Sequence, residues 1–317
     1  MSPAVDPLPQ ALGLLAGIGV VLLVATLIGL ALKLSVAHGQ PHGAIDNLNT
    51  RIRAWWAMVI LAGGAILLGR VGATLLFLGV SAVALREFVS LTCPRDGDWR
   101  AVAVGFGIVL PAQYLLVYLG RYDLFLFFVP VYAFLVLPIA MAALGDARNF
   151  LLRVTRLQWS LMICVYFISY VPALLTLDIP GYAGRNLLLL VFLVVVVQSS
   201  DVLQYIWGKL AGRRKIAPTI SPSKTWEGLI GGVLSATALG ALLYPITPFT
   251  PWQAGSMALA INVMGFLGGL VMSAIKRDCG AKDWGHVIGG HGGVLDRLDS
   301  VVFAAPVFFH LTRYGWT

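Results

Sequence analysis

Ten long, predominantly apolar segments constrain this 317-residue sequence more than any other feature. They run over residues 12–32, 54–69, 71–90, 101–120, 123–145, 158–177, 187–207, 228–247, 252–275 and 301–316. A bilayer core of about 30 Å takes roughly 20 helical residues, and most of the segments reach that length. Backbone N–H and C=O groups in lipid must be satisfied internally, which a helix does. The expected fold is therefore all-α: a polytopic membrane helix bundle of about ten transmembrane helices with polar loops. Composition agrees, since 59% of residues are apolar and 11% charged, against about a quarter charged in soluble domains. That excludes a water-soluble globule. Three scattered cysteines, Cys93, Cys164 and Cys279, exclude a disulfide-stapled fold and look inert. No Lys or Arg precedes the first segment, and its apolar run is too long for a removable signal, so it reads as an uncleaved span.

The 22 Lys and Arg residues divide unevenly between alternate connections. Seventeen fall on one set, from Lys33 through Arg95 and Arg148 to Arg297, with Arg86 near a helix end on the same side; only Arg70, Arg121, Arg185 and Arg313 fall on the other. By the positive-inside rule the first set faces the cytoplasm and both termini face away from it. The net charge of +8 then orients the chain in an inner, cytoplasmic membrane and implies no nucleic-acid partner. Membrane lipids are the expected surroundings, and a homo-oligomer stays open.

Residues 1–186 read as N-terminal transmembrane helices with few internal polar groups, and 187–317 as the region that carries the chemistry. Lone polar residues such as Ser81 and Ser160 read as packing contacts, and the Arg86–Glu87 pair as one that snorkels to the interface. From residue 273 to 300 the character changes: eight of 28 residues are charged, and six glycines lie between Gly280 and Gly293. Eight charges left in hydrocarbon would cost on the order of 20 kcal/mol, so they face water, a cavity or a charged ligand.

The carboxylates Asp296 and Asp299, with Ser300, share one helical face if the last span starts here. Asp283 arrives from the glycine-rich loop and Asp201 from the end of the seventh span. Such oxygen ligands suit Mg²⁺, which keeps waters and shares substrate phosphates; Asp296 could instead cap the last helix. Lys276, Arg277, Lys282 and Arg297 lie among these acids, and Lys215 and Lys224 flank a Ser/Thr/Pro segment. Cations mixed with carboxylates suit a nucleotide–metal site. Arg213-Arg214-Lys215 reads equally well as an anchor on anionic lipid. Glycines around His291 permit close backbone approach to a phosphate. His286 and His291 lack partners at zinc spacing, so a transition-metal site is not expected. His310 reads as packed or interfacial. P-loop and nucleophile-elbow motifs are absent.

Residues 273–299 resemble the C-terminal signature of the phosphatidate cytidylyltransferase (CDP-diacylglycerol synthase) family. Ser273, Lys276, Arg277, Lys282, Asp283, Gly285, His291, Gly292, Gly293, Asp296, Arg297 and Asp299 all fall in register. The upstream block from Lys215 through Pro218, Ser221, Pro222 and Lys224 to Gly228 is similar as well. It follows an Asp-x-x-x-Tyr element matching Asp201 and Tyr205, where Gln204 replaces the small residue of many members. Glu87-Phe88 adds a weaker match. The resemblance implies transfer of CMP from CTP to phosphatidate, with Mg²⁺ and release of pyrophosphate. It further implies metal binding by Asp283, Asp296, Asp299 and Asp201, and phosphate contacts from Lys276, Arg277, Lys282 and Lys224. Ser221 and His291 would position phosphates, with Arg297, Lys215 and Ser273 close by; Ser223 or Thr225 could touch ribose or base. A CTP-dependent polyprenol or phytol kinase would need similar loops. A transporter could use intramembrane polar residues, although no inverted repeat is evident.

Overall fold

The computed structural model describes residues 7–38, 40–92, 99–143, 145–288 and 292–317. Helical rods occupy all ten expected segments, in order. They are α1 (Pro7–Ser35), α2 (Gly43–Leu67), α3 (Gly69–Thr92), α4 (Trp99–Leu119) and α5 (Tyr122–Ala143). The second half comprises α6 (Phe150–Thr176), α7 (Asn186–Leu210), α8 (Trp226–Leu242), α9 (Pro251–Asp278) and α10 (Leu295–Trp316). Among the described residues six helices, α3 to α7 and α9, are long and apolar enough to cross a membrane, while α8 and the Gly19–Ser35 part of α1 are apolar but shorter. Large apolar side chains stand exposed around the bundle, among them Leu27, Leu61, Ile139, Leu234 and Leu259. Aqueous surfaces do not tolerate so many, whereas lipid does. The chain is an all-α integral membrane protein.

Helix α6 is the axis of the bundle, with 72% of its apolar window buried. It packs against α3 and α10, and its polar side chains repair breaks in α5. A proline cannot donate to the carbonyl four residues earlier. Pro130 thereby frees the Leu126 carbonyl, which accepts from Tyr166 Oη at 3.0 Å. Pro138 frees that of Phe134, which accepts from Gln158 Nε2 at 3.0 Å. One turn each of α4, α5 and α6 is wound as π-helix, at Gly105–Val109, Phe128–Ala133 and Met162–Phe167. Ser81 is buried against the Tyr114 hydroxyl, and Ser160 donates to the Leu157 carbonyl at 2.6 Å. Both fit their reading as packing residues.

Helices α7 to α10 form a second, tightly crossed layer. Small residues let their backbones approach: a Cβ on Gly240 would sit 2.2 Å from Ala258 Cβ, and one on Gly268 2.6 Å from Phe303. Between α7 and α8 the chain forms an antiparallel hairpin of β1 (Lys215–Ala217) and β2 (Ser221–Thr225). Pro222 fits there because both strands are edges. Glu227 at the start of α8 fastens the hairpin's entry, accepting from the backbone N–H of Arg213 and Arg214 at 3.0 and 3.2 Å.

Candidate active site

The C-terminal end of α7, the β-hairpin, the N-terminus of α8, the middle of α9 and the first turns of α10 enclose a cavity of about 350 Å³. Asp201 projects into it from α7 and Asp299 from α10, with Ser300 between them. Ser300 Oγ lies 3.2 Å from Asp201 Oδ1 and 3.5 Å from Asp299 Oδ1, so one hydroxyl proton serves two carboxylates. The Ser300 backbone N–H adds a bond to Asp299 Oδ1 at 2.9 Å. Among the described residues the Oδ2 atom of each acid has no hydrogen bond.

Lys224 supplies the opposing charge. Strand β2 carries it over the Phe266 ring, Nζ 4.6 Å from the centroid, and the absence of a side chain at Gly269 makes room for it. A Cβ there would lie 2.9 Å from Nζ. Burial pushes the Lys224 ammonium below the ordinary lysine range, an effect that Asp299 and Asp201 only partly offset. Lys209, Lys215, Tyr205, Ser223 and Thr225 complete the polar wall. Thr225 also caps α8, its Oγ1 accepting from the Gly228 N–H at 3.1 Å. Gln204 lines the cavity one turn after Ser200, to whose hydroxyl its Nε2 donates at 2.9 Å.

The glycine-rich loop builds a second polar cluster. Lys276 Nζ meets Asp296 Oδ1 at 2.7 Å, both side chains at most 10% exposed. Asp296 Oδ2 accepts from the N–H groups of Trp284 and Gly293, each at 2.9 Å. This carboxylate therefore holds the loop and the start of α10, close to the capping alternative open in the sequence. Arg277 bonds the Ile220 and Ala281 carbonyls at 3.3 and 2.8 Å, tying the hairpin tip to the end of α9.

The acids expected to bind one metal are thus divided. Asp201 and Asp299 share the cavity, Asp296 is engaged with Lys276 and the loop, and Asp283 is exposed on the loop beside Trp284. No cluster of three or more acids, histidines or cysteines able to hold a metal occurs among the described residues. The two-carboxylate arrangement still fits Mg²⁺, which needs only one or two protein carboxylates beside waters and phosphates. Of the expected phosphate contacts, Lys224 and Lys215 line the cavity, Lys276 is paired, and Lys282 and Arg297 are exposed. Ser221 and Ser273 are half-buried away from the cavity lining. His291 lies outside the described residues, as do Cys93 and Arg95.

Glu87 departs from its sequence reading. It does not snorkel but is 4% exposed, and its Oε1 and Oε2 accept from the N–H groups of Val294 and Leu295, each at 2.9 Å. Arg86 alone is exposed. Beside Glu87, Phe88 stacks on Trp284 with centroids 4.9 Å apart. The sequence signals were a charged pair ending an otherwise apolar span and the weak Glu87-Phe88 family match, neither of which points to a partner on α10. Phe266, which carries no polar signal at all, was also missed. His310 is packed, as expected, its Nε2 3.1 Å from Tyr170 Oη.

Fold and cavity together define an integral membrane protein that gathers carboxylates and lysines where several helices end. The chain belongs to the cytidylyltransferase family, whose sequence model matches residues 49–315. It is 40% identical over 275 residues to the uncharacterized protein YnbB of Escherichia coli, covering 86% of this chain and 90% of that one. It is 42% identical over 121 residues to the phosphatidate cytidylyltransferase of Brucella abortus, covering 38% of this chain and 45% of the relative. With the Haemophilus influenzae phosphatidate cytidylyltransferase the identity is 36% over 155 residues, or 44% and 52% of the two chains. The matches to these two named enzymes span about half of their length.

Proposed function

We propose that this protein transfers CMP from CTP to phosphatidate, giving CDP-diacylglycerol and pyrophosphate. The observation that carries this reading is the pairing of Asp201 and Asp299 across one cavity from the half-buried Lys224. A phosphate oxygen of the lipid attacks the α-phosphorus of CTP in line. The new P–O bond forms as the bond to the β-phosphate oxygen breaks, and its electron pair leaves with pyrophosphate. The nucleophile is already an anion, so no strong general base is needed. The barrier is chiefly repulsion between two polyanions, which fixed positive charge lowers.

Lys224, Lys215 and Lys209 supply that charge from one wall. Asp201 and Asp299, oriented by Ser300, are the acids that would hold Mg²⁺, which neutralises phosphate oxygens when bound. Phosphates contacting Lys224 would return its ammonium towards the ordinary lysine range, strengthening their own binding. Residues 187–317 hold both motif blocks and form the catalytic region. We further assign all ten helices as spans of the inner membrane, with both termini non-cytoplasmic and the cavity opening to cytoplasmic CTP. The Lys and Arg imbalance supports this orientation.

Purified protein, Mg²⁺, labelled CTP and a panel of lipid phosphates provide the test. Pyrophosphate and a CMP-bearing lipid are the expected products. CDP with a phosphorylated polyprenol or phytol would replace this reading with a kinase, and solute flux without CTP turnover would replace it with a transporter.

A further inference from the structure

We propose that Glu87 is a positioning residue for this reaction. A carboxylate from α3 fixes the first turn of α10 and, with it, the Asp299–Ser300 side of the cavity. The inference rests on the cytidylyltransferase reading of that cavity and adds a residue from the first half of the chain.

Helix α10 begins without a local cap. Val294 stands at its N-cap position, where a valine side chain has nothing to offer the exposed N–H groups. Glu87 supplies the missing acceptors from 207 and 208 residues away, one oxygen to each of two successive N–H groups. Charge-assisted bonds of this kind are stronger than neutral ones, and the helix N-terminus favours the negative charge. Burying a carboxylate is costly, yet among the described residues Glu87 has no ion-pair partner. Its side chain is committed to the start of this one helix.

The surrounding chain is moulded to that carboxylate. A Cβ at Gly293 would lie 2.6 Å from Glu87 Oε2, and one at Gly285 2.8 Å from Oε1. Two of the loop glycines thus make space for Glu87, whatever the others do for a phosphate. Phe88, the next residue, stacks on Trp284, whose N–H bonds Asp296. Consecutive residues of α3 therefore hold both ends of the loop that leads into α10. Asp299 follows Leu295 by four residues, about 6 Å along the helix. A slip of the first turn moves Asp299 and Ser300 relative to Asp201 and Lys224, which stand on other elements.

The test uses full-length protein in detergent with CTP, Mg²⁺ and phosphatidate, and the variants Glu87→Gln, Glu87→Ala, Gly293→Ala, Glu87→Ala/Gly293→Ala and Arg86→Gln. Misplacing reacting groups by about 1 Å costs on the order of a hundredfold. Glu87→Gln and Gly293→Ala should each lower kcat by about tenfold to a hundredfold, with KM for CTP within about threefold of wild type. The double variant should be no slower than Glu87→Ala alone, because the added methyl then meets no carboxylate. Arg86→Gln should match wild type.

Wild-type kcat in Glu87→Gln, an effect confined to KM, multiplying losses in the double variant, or losses that only track folded protein would each overturn the proposal. If wild-type protein transfers no CMP, the cytidylyltransferase reading fails by itself. Amide hydrogen exchange at Val294 and Leu295 then tests the contact directly: at least about tenfold faster exchange in Glu87→Gln supports it, and unchanged exchange refutes it.

Discussion

Replacing Asp296 with Asn changes one atom, yet it disturbs three contacts at once. Asp296 Oδ1 neutralises Lys276, and Oδ2 accepts two backbone N–H groups. If the new amide keeps its oxygen towards Trp284 and Gly293, its NH₂ faces the ammonium and leaves a buried charge unpaired. Breaking a buried pair in that way costs about 3–5 kcal/mol. If the amide turns over, Lys276 regains an acceptor but two inward-facing N–H groups lose theirs, at about 1–3 kcal/mol each. The first orientation loses about 3–5 kcal/mol and the second about 2–6, so a loss of several kcal/mol is expected in either case. The assay is unfolding in mixed micelles of increasing SDS content, followed by tryptophan fluorescence. The double variant Lys276→Met/Asp296→Asn should recover more than half of the loss, since Met fills the lysine stem and the amide oxygen still serves both N–H groups. Stability of Asp296→Asn within about 1 kcal/mol of wild type, or a double variant no better than the single, would refute the assignment of Asp296 to the loop.

Further outcomes follow from the cavity. Ser300→Ala removes the hydroxyl shared by Asp201 and Asp299, and should raise the Mg²⁺ concentration for half-maximal CMP transfer by about 10–100-fold, read by Mg²⁺ titration at saturating CTP. Because burial depresses the Lys224 pKa, the alkaline fall of kcat/KM for CTP should begin below the ordinary lysine value of 10.5 and move to higher pH in Lys224→Arg. The sign for stability is opposite to that of a lysine that gains a partner. The unfolded chain holds its proton up to a higher pH, so stability rises with pH between the folded and unfolded values; Lys224→Met should flatten that rise in a pH series of the same unfolding assay. A reporter fused after Thr317 should behave as non-cytoplasmic, and cytoplasmic activity would mean an odd number of spans for the same N-terminal side.

The apolar segments were legible because hydropathy is a local property, but their ends were not. The sequence places the sixth segment at 158–177, whereas α6 begins at Phe150. Its first turns are amphipathic, and Arg153 is held there by Asp146 at 3.1 Å. The last segment starts at Leu295 rather than 301, since its N–H groups find an acceptor on α3. The hairpin strands escaped notice because β1 is only three residues long and β2 is mostly Ser, Pro and Thr, while Glu227 and Arg277, outside the strands, fasten the hairpin's entry and tip. Asp201, Asp299 and Lys224 were readable as charges with no place in hydrocarbon. The division of labour between Asp296 and Asp299 was not, because residues three apart in sequence face different partners only once the loop has folded over Lys276. Glu87 lay furthest from reach, its partners more than 200 residues away.

That long span between partners has a temporal side. The acid on α7 and its counterparts on the final helix are separated by almost a third of the polypeptide, and the anchor for that helix was synthesised earlier still. Until α10 is made, Glu87 lacks the two N–H groups it accepts from, and the cavity lacks Asp299 and Ser300. The Asp299–Ser300 side of the cavity is thus added only after α3 and α7 have been made, so truncation before Val294 should remove that side and leave Glu87 without its two N–H donors.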